Sequence, residues 1–159
     1  MADVEKELLS FLNKNFIQKP EVSFKSFVSD RMEVLLNDTF KKESDIYRRG
    51  NIDRKVYYNL KHGDDNYRPT KAIALSYCLA LGLGLKEAEK LLYLGGYHFE
   101  PNSLTDQIVR YCLNNRIYSA NIANSYISSC RERLHLTKVE YIGSHARDWY
   151  DEGGVTEAM

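Results

Sequence analysis

ESDIYRRGNIDRKVYYNLKHG, residues 43–63, reads as a short helix, a tight turn and a second short helix. Ile46 is the apolar anchor of the first helix. Gly50 and Asn51 then break it, because these residue types best tolerate the left-handed backbone of a sharp turn. Ile52 dips back toward a core, and Asp53 is placed to cap the next helix. Val56, Tyr57 and Leu60 continue an apolar face at helical spacing. The opposite face carries Arg54, Lys55, Tyr58, Asn59 and Lys61, side chains able to reach phosphates or base edges.

Working outward, the flanking chain is helical in pattern. Upstream, Ser23 can cap a helix to about Thr39, with Phe24, Phe27, Val28, Met32, Leu35 and Leu36 on its core face. Downstream, HGDDNYRP is a loop closed by Pro69, and Thr70 opens an apolar helix reaching Gly82. A helix from Leu85 to Leu94 ends at Gly95-Gly96. Ser103 with Asp106 resembles a capping box opening a helix to about Asn114, with Ile108, Tyr111 and Cys112 inward. Ser119 or Asn121 opens a last helix to about Arg133, its inner face being Ile122, Ala123, Tyr126, Ile127 and Cys130. Strand-like alternation is nearly absent. The expected fold is all-α, a compact bundle of about seven helices.

Four segments follow from this pattern: an N-terminal helix and linker (1–22), a central domain (23–97), a helical extension (98–134) and an acidic tail (135–159). The first helix, residues 3–16, shows an apolar face of Val4, Leu8, Leu9, Phe11 and Leu12. It either packs back on the domain, the simpler expectation, or serves a partner. Lys19-Pro20 marks the linker. From Leu134 the periodicity weakens, and a flexible tail stands beside a docked segment in which Tyr141, Ile142, Trp149 and Tyr150 pack. Residues 139–159 carry five carboxylates against one arginine, so this end can be expected to cover a basic face.

A chain of 159 residues with formal net charge +0 and mean hydropathy −0.48 has the composition of a globular protein with no overall attraction for polyanions. Any nucleic-acid contact has to come from a local patch. Residues 41–71 supply one, with nine Lys/Arg against five Asp/Glu. Cys78, Cys112 and Cys130 form no CxxC pair and the histidines are scattered, which implies buried free thiols in a reducing compartment and no metal site. An acidic start and the lack of any run of about 20 apolar residues imply a cytoplasmic protein without a membrane span. GLGLKEAEK lacks the lysine-serine ending of a phosphate loop, and no nucleophile and base pair is spaced for catalysis, so neither enzymatic activity nor a cofactor is expected.

The order of helices across residues 24–97 resembles the DNA-binding domain of the Xre/Cro, lambda-repressor-like family. The resemblance is carried by Ile46-Tyr47, Asn51-Ile52-Asp53-Arg54, Tyr57, Leu60, Gly63, Pro69 and Ala80-Leu81-Gly82-Leu83. It implies a helix-turn-helix regulator whose second helix enters the major groove of duplex DNA. Arg54, Lys55, Tyr58 and Asn59 would face the bases, while Lys41, Lys42, Lys61 and Arg68, with Arg48 and Arg49, would touch phosphates. A homodimer through helices 103–133 would then read two half-sites. The alternative on the same scaffold is a protein–protein adaptor or inhibitor, for example one encoded by a mobile element, with the crowded tyrosines as its partner surface. Three departures bear on these expectations, the first being Tyr57, which enlarges a position the family usually fills with an aliphatic residue. Glu43 stands where the family commonly places a phosphate-binding glutamine, and Tyr47 replaces a small alanine, which should hold the two short helices apart.

Overall fold

Helix starts are written into the side chains. Ser23, Asp53, Thr70, Ser103 and Ser119 each accept a hydrogen bond from the backbone N–H three residues on, satisfying a donor that a helix leaves orphaned. In the computed structural model, which describes residues 2–17 and 21–146, eight helices result. They are α1 (Ala2–Asn15), α2 (Phe24–Asp38), α3 (Glu43–Arg49), α4 (Arg54–His62), α5 (Lys71–Ala80), α6 (Leu85–Leu94), α7 (Leu104–Asn114) and α8 (Ala120–Arg133). The described residues contain no strand, so the all-α expectation holds, with eight helices where about seven were expected.

The apolar run Ile73–Ala80 makes α5 the central helix, because every residue from Ile73 to Ala80 is buried. It packs against α3 and α6 and also against α7 and α8, while α2 packs against α3, α4 and α6. One apolar core therefore runs from Phe24 through to Ile142. Among its contacts, the Phe24 and Tyr77 rings meet edge to face at 5.8 Å.

Several expectations are corrected. α1 packs on nothing: none of its residues is buried, and Leu8 and Phe11 keep 54% and 60% of their surface exposed. The expectation that α1 packs back on the domain is overturned, its apolar face staying exposed. Tyr111, Ile122 and Tyr126 point outward, since the inner faces of α7 and α8 are taken by Ile108, Val109, Cys112, Ala123, Asn124 and Ile127. The Asp106 carboxylate does not close a capping box. It accepts from the Glu100 N–H at 2.7 Å and from Lys71 Nζ at 2.6 Å, a buried charge held by two donors. Of the two alternatives for the tail, the docked segment holds for residues 139–142, with Val139, Tyr141 and Ile142 in the core. Lys19, Pro20, Trp149 and Tyr150 lie outside the described residues.

The turn after α3 uses its two residues differently from expectation. Asn51 takes the left-handed conformation (φ 57°), while Gly50 keeps an ordinary φ of −89°. Glycine is needed at position 50 for space. A Cβ there would lie 2.7 Å from the Ser76 carbonyl oxygen and 2.8 Å from Ala80 Cβ. The cysteines also divide. Burial pushes the Cys112 thiol up to about 11 and the Cys78 thiol higher still, whereas Cys130 is only half-buried.

Two outcomes follow. Gly50→Ala should lower stability in urea by about 1–3 kcal/mol, the range for overpacking, and a loss under about 0.5 kcal/mol would show that α3 and α5 are not in close approach. Titration of the native protein with a thiol reagent at pH 8 should modify Cys130 first, with Cys78 and Cys112 reacting only on unfolding.

Candidate functional site

The most distinctive surface is built by α3, the turn at residues 50–53 and α4. Behind it, Ile46, Ile52, Tyr57 and Leu60 are buried and fix both helices to α2 and α5. Tyr47 and Tyr57 do not merely push the helices apart. Their rings stack at 4.7 Å with a 22° interplanar angle, so two enlarged side chains fill one shared space. Asp53 Oδ1 accepts from the Val56 N–H at 2.8 Å and sets the start of α4. At its other end, Lys25 Nζ donates to the Gly63 carbonyl, a cation at the negative end of the helix.

Of the sequence-predicted residues, Arg54, Lys55, Tyr58 and Asn59 are brought together on the exposed side of α4. Tyr58 stacks on His62 one turn later, ring centroids 4.0 Å apart, and keeps 57% of its surface open. Lys61 is tied down instead, donating to both oxygens of Glu43 at 3.0 and 3.3 Å. The Tyr57 hydroxyl hydrogen bond, followed by Lys61, holds the Glu43 carboxyl below the usual range, while burial first and Glu43 second push Tyr57 up. Glu43 is thus a neutralised anion at the mouth of a shallow cleft of about 190 Å³ between α3 and α4, with Arg54, Tyr58 and His62 on its rim. Lys41 and Lys42 are exposed just ahead of α3. Arg68 is exposed but lies apart from α4, its Nη1 beside Gly96 at the end of α6.

Arg49, expected at a phosphate, is structural. Its Nε donates to the Ala80 carbonyl at 2.7 Å, and its guanidinium lies over the Phe40 and Tyr118 rings at 4.7 and 5.4 Å. Burial lowers its pKa, with no consequence for its charge near neutral pH.

The docked segment, expected from Tyr141 and Ile142 as an alternative to a flexible tail, is a strap, residues 139–146. It crosses from α7 and α8 to the α3–α4 turn, a destination the sequence does not indicate. Asn124, fully buried in α8, donates to the Ile142 carbonyl at 3.1 Å and accepts from the Ile142 N–H at 3.0 Å. The Thr105 hydroxyl donates to the Glu140 carbonyl. Further on, the Ser144 N–H donates to the Asn51 carbonyl at 2.8 Å, and the Asp53 N–H donates to Ser144 Oγ at 2.9 Å. His145 Nε2 lies 3.6 Å from Asp53 Oδ2, an ion pair when the imidazole is protonated. Gly143 has φ 100°, and a Cβ on it would lie 2.7 Å from Asn51 Cβ. Gly143-Ser144 is a legible turn signal, but a partner 91 residues away leaves no local pattern. Between the strap and the starts of α5 and α7 lies a cavity of about 990 Å³, whose Lys71 is already held by Asp106.

The strap meets the α3–α4 turn at Asn51 and Asp53, and the charged face of α4 beside it is exposed. Binding of a polyanion is within its chemistry, whereas the described residues contain no cluster of side chains able to hold a metal. No helix among them is long and apolar enough to cross a membrane. No family model matches the chain, and neither a curated protein nor a solved structure is detectably similar to it.

Replacing Gly143 by alanine should release the strap, because the new methyl meets Asn51 and an L-residue is strained at that φ. Hydrogen exchange at the Ser144 and Asp53 amides should accelerate by about tenfold or more while α5 amides stay protected. Unchanged exchange at both would mean that the strap does not need this contact.

Proposed function

We propose that this protein is a sequence-specific DNA-binding regulator of the helix-turn-helix type, with α4 as the helix that enters the major groove. The observation that carries this reading is the placement of Arg54, Lys55, Tyr58 and Asn59. All four are exposed on one short helix whose other side is buried through Tyr57 and Leu60. An α-helix with its side chains is about 10–12 Å across and fits a groove about 12 Å wide. Arginine can bind guanine bidentately and asparagine can pair with adenine, each contact giving about 1–3 kcal/mol of discrimination. Lys41 and Lys42 flank the same surface and suit phosphate contacts, which position without specifying. The sequence resemblance to lambda-repressor-like domains supports the same assignment, with a cytoplasmic site of action. An adaptor or inhibitor on this scaffold is the second reading, favoured by exposed aromatic side chains such as Tyr93 and Tyr111.

The pairing of Glu43 with Lys61 gives this reading a specific signature. It withholds one cation from phosphate, so Glu43→Gln should release Lys61, raise DNA affinity several-fold and steepen the salt slope by about one unit. Arg54→Ala and Lys55→Ala should each weaken binding, and Asn59→Ala should relax base preference. Fluorescence anisotropy with a randomised-then-selected duplex, repeated over a salt series, reads all of these. Absent or salt-insensitive binding would sink the DNA assignment in favour of the adaptor.

A further inference from the structure

Among the exposed apolar side chains of the described residues, two groups lie together outside the core and the α4 face. The first is the stripe of Val4, Leu8, Leu9, Phe11 and Leu12 on α1. The second crosses α7 and α8, where Tyr111 and Tyr126 meet edge to face at 6.4 Å and Ile122 lies one turn before Tyr126. A 14-residue helix is marginal on its own in water and draws its stability from whatever covers its apolar side.

Charge selects the cover. α1 carries Asp3, Glu5 and Glu7 against Lys6 and Lys14. Along α7, α8 and the loop between them lie Arg110, Arg116, Arg131 and Arg133 against Glu132, while the buried Asp106 is already held by Lys71. Pairing α1 with α1 joins two acidic helices, and pairing the α7–α8 faces joins two basic ones. Only the crossed pairing matches apolar to apolar and acid to base. The acidic balance of α1 also disfavours an anionic lipid surface, which basic amphipathic helices seek. Within one chain α1 buries nothing, although its own α7–α8 face is open. α2, which α1 precedes, packs on α3, α4 and α6, whereas α7 and α8 pack on α5.

We propose that α1 of one copy seats on the Tyr111–Ile122–Tyr126 face of a second copy, and reciprocally, forming a two-fold dimer. Complete cover of the five α1 side chains and the three on the face, at roughly 100 Å² each, would bury at most about 1,600 Å² over the two reciprocal contacts, a ceiling within the range of a specific interface. None of the side chains that form these contacts lies on α4.

Sedimentation velocity and light scattering on the full chain test it with two variants. Leu8→Glu/Phe11→Glu disables α1, and Ile122→Glu/Tyr126→Glu disables the face. All four side chains are exposed, so circular dichroism should show both variants folded. The wild type should dimerise, and each variant alone should dimerise at least about tenfold more weakly. An equimolar mixture should regain a dimer, because it joins one intact helix to one intact face. A monomeric wild type overturns the proposal. So does a face variant that still dimerises, which would mean α1 pairs with α1, or a helix variant that still dimerises, which would mean the faces pair directly. The mixed dimer keeps one contact of two, so it should be weaker than the wild type, and a mixture that associates no more strongly than either variant alone also overturns the proposal.

Discussion

The α3–α4 turn is held where a single methyl group would not fit on either of two sides. On one side Gly50 lies against α5, with the Ser76 carbonyl and Ala80 Cβ occupying the space a side chain would need. On the other, Gly143 of the strap lies against Asn51 just as closely. Packing at this density transmits displacement instead of absorbing it. The direction of α4, and with it the placement of Arg54, Lys55, Tyr58 and Asn59, depends on those two approaches. Burial of Ile46, Ile52 and Leu60 supplies the attraction, while the glycines set the distance.

Much of the helical architecture could be read from local rules, because caps and apolar periodicity act over three or four residues. Asp53, Thr70 and Ser119 start helices as their chemistry requires. What could not be read depends on contacts far apart in the chain. Tyr111, Ile122 and Tyr126 have the composition of inward residues, and only the packing of α7 against α8 and α5 decides that smaller neighbours go inside. α1 shows the opposite failure. Its periodicity correctly indicated an amphipathic helix, but periodicity does not say whether the same chain provides the cover. The candidate site was legible to the same extent. Its exposed face follows from helical spacing, whereas the Tyr47–Tyr57 stack and the Glu43–Lys61 pair join α3 to α4 across the turn. Glu43 and Tyr47, taken singly from the sequence, look like obstacles. Together they are one aromatic contact beside one neutralised charge.

The basic residues fall into two populations that sequence alone does not separate. Arg31 and Arg49 donate to the Leu81 and Ala80 carbonyls at the end of α5, and Lys25 donates to the Gly63 carbonyl after α4. These cations answer unpaired carbonyls at the negative ends of helices, where they also satisfy acceptors that would otherwise be left without partners. Lys71 compensates buried Asp106. Arg54 and Lys55, by contrast, sit in the first turn of α4, where the helix dipole is already positive. That placement is mildly unfavourable for folding. Cations kept where they do not help the fold create a local positive field in a chain whose formal net charge is zero.

Asn51 brings these constraints to one residue. Its backbone is left-handed, its carbonyl accepts from Ser144, and its Nδ2 donates to Asn121 Oδ1 on α8 at 2.7 Å. Asn121 lies one residue before Ile122, on the helix whose outer surface forms the proposed contact with a second copy. Three residues beyond it, Asn124 holds the strap that returns to the same turn. α8 therefore reaches the start of α4 by two routes, one through a side-chain amide and one through the strap backbone. A contact that braced α8 would brace the turn by both, narrowing the range of directions α4 can take. Less conformational freedom would then remain to be lost when α4 meets a ligand, which is the physical sense in which a dimer on α8 would favour binding at α4.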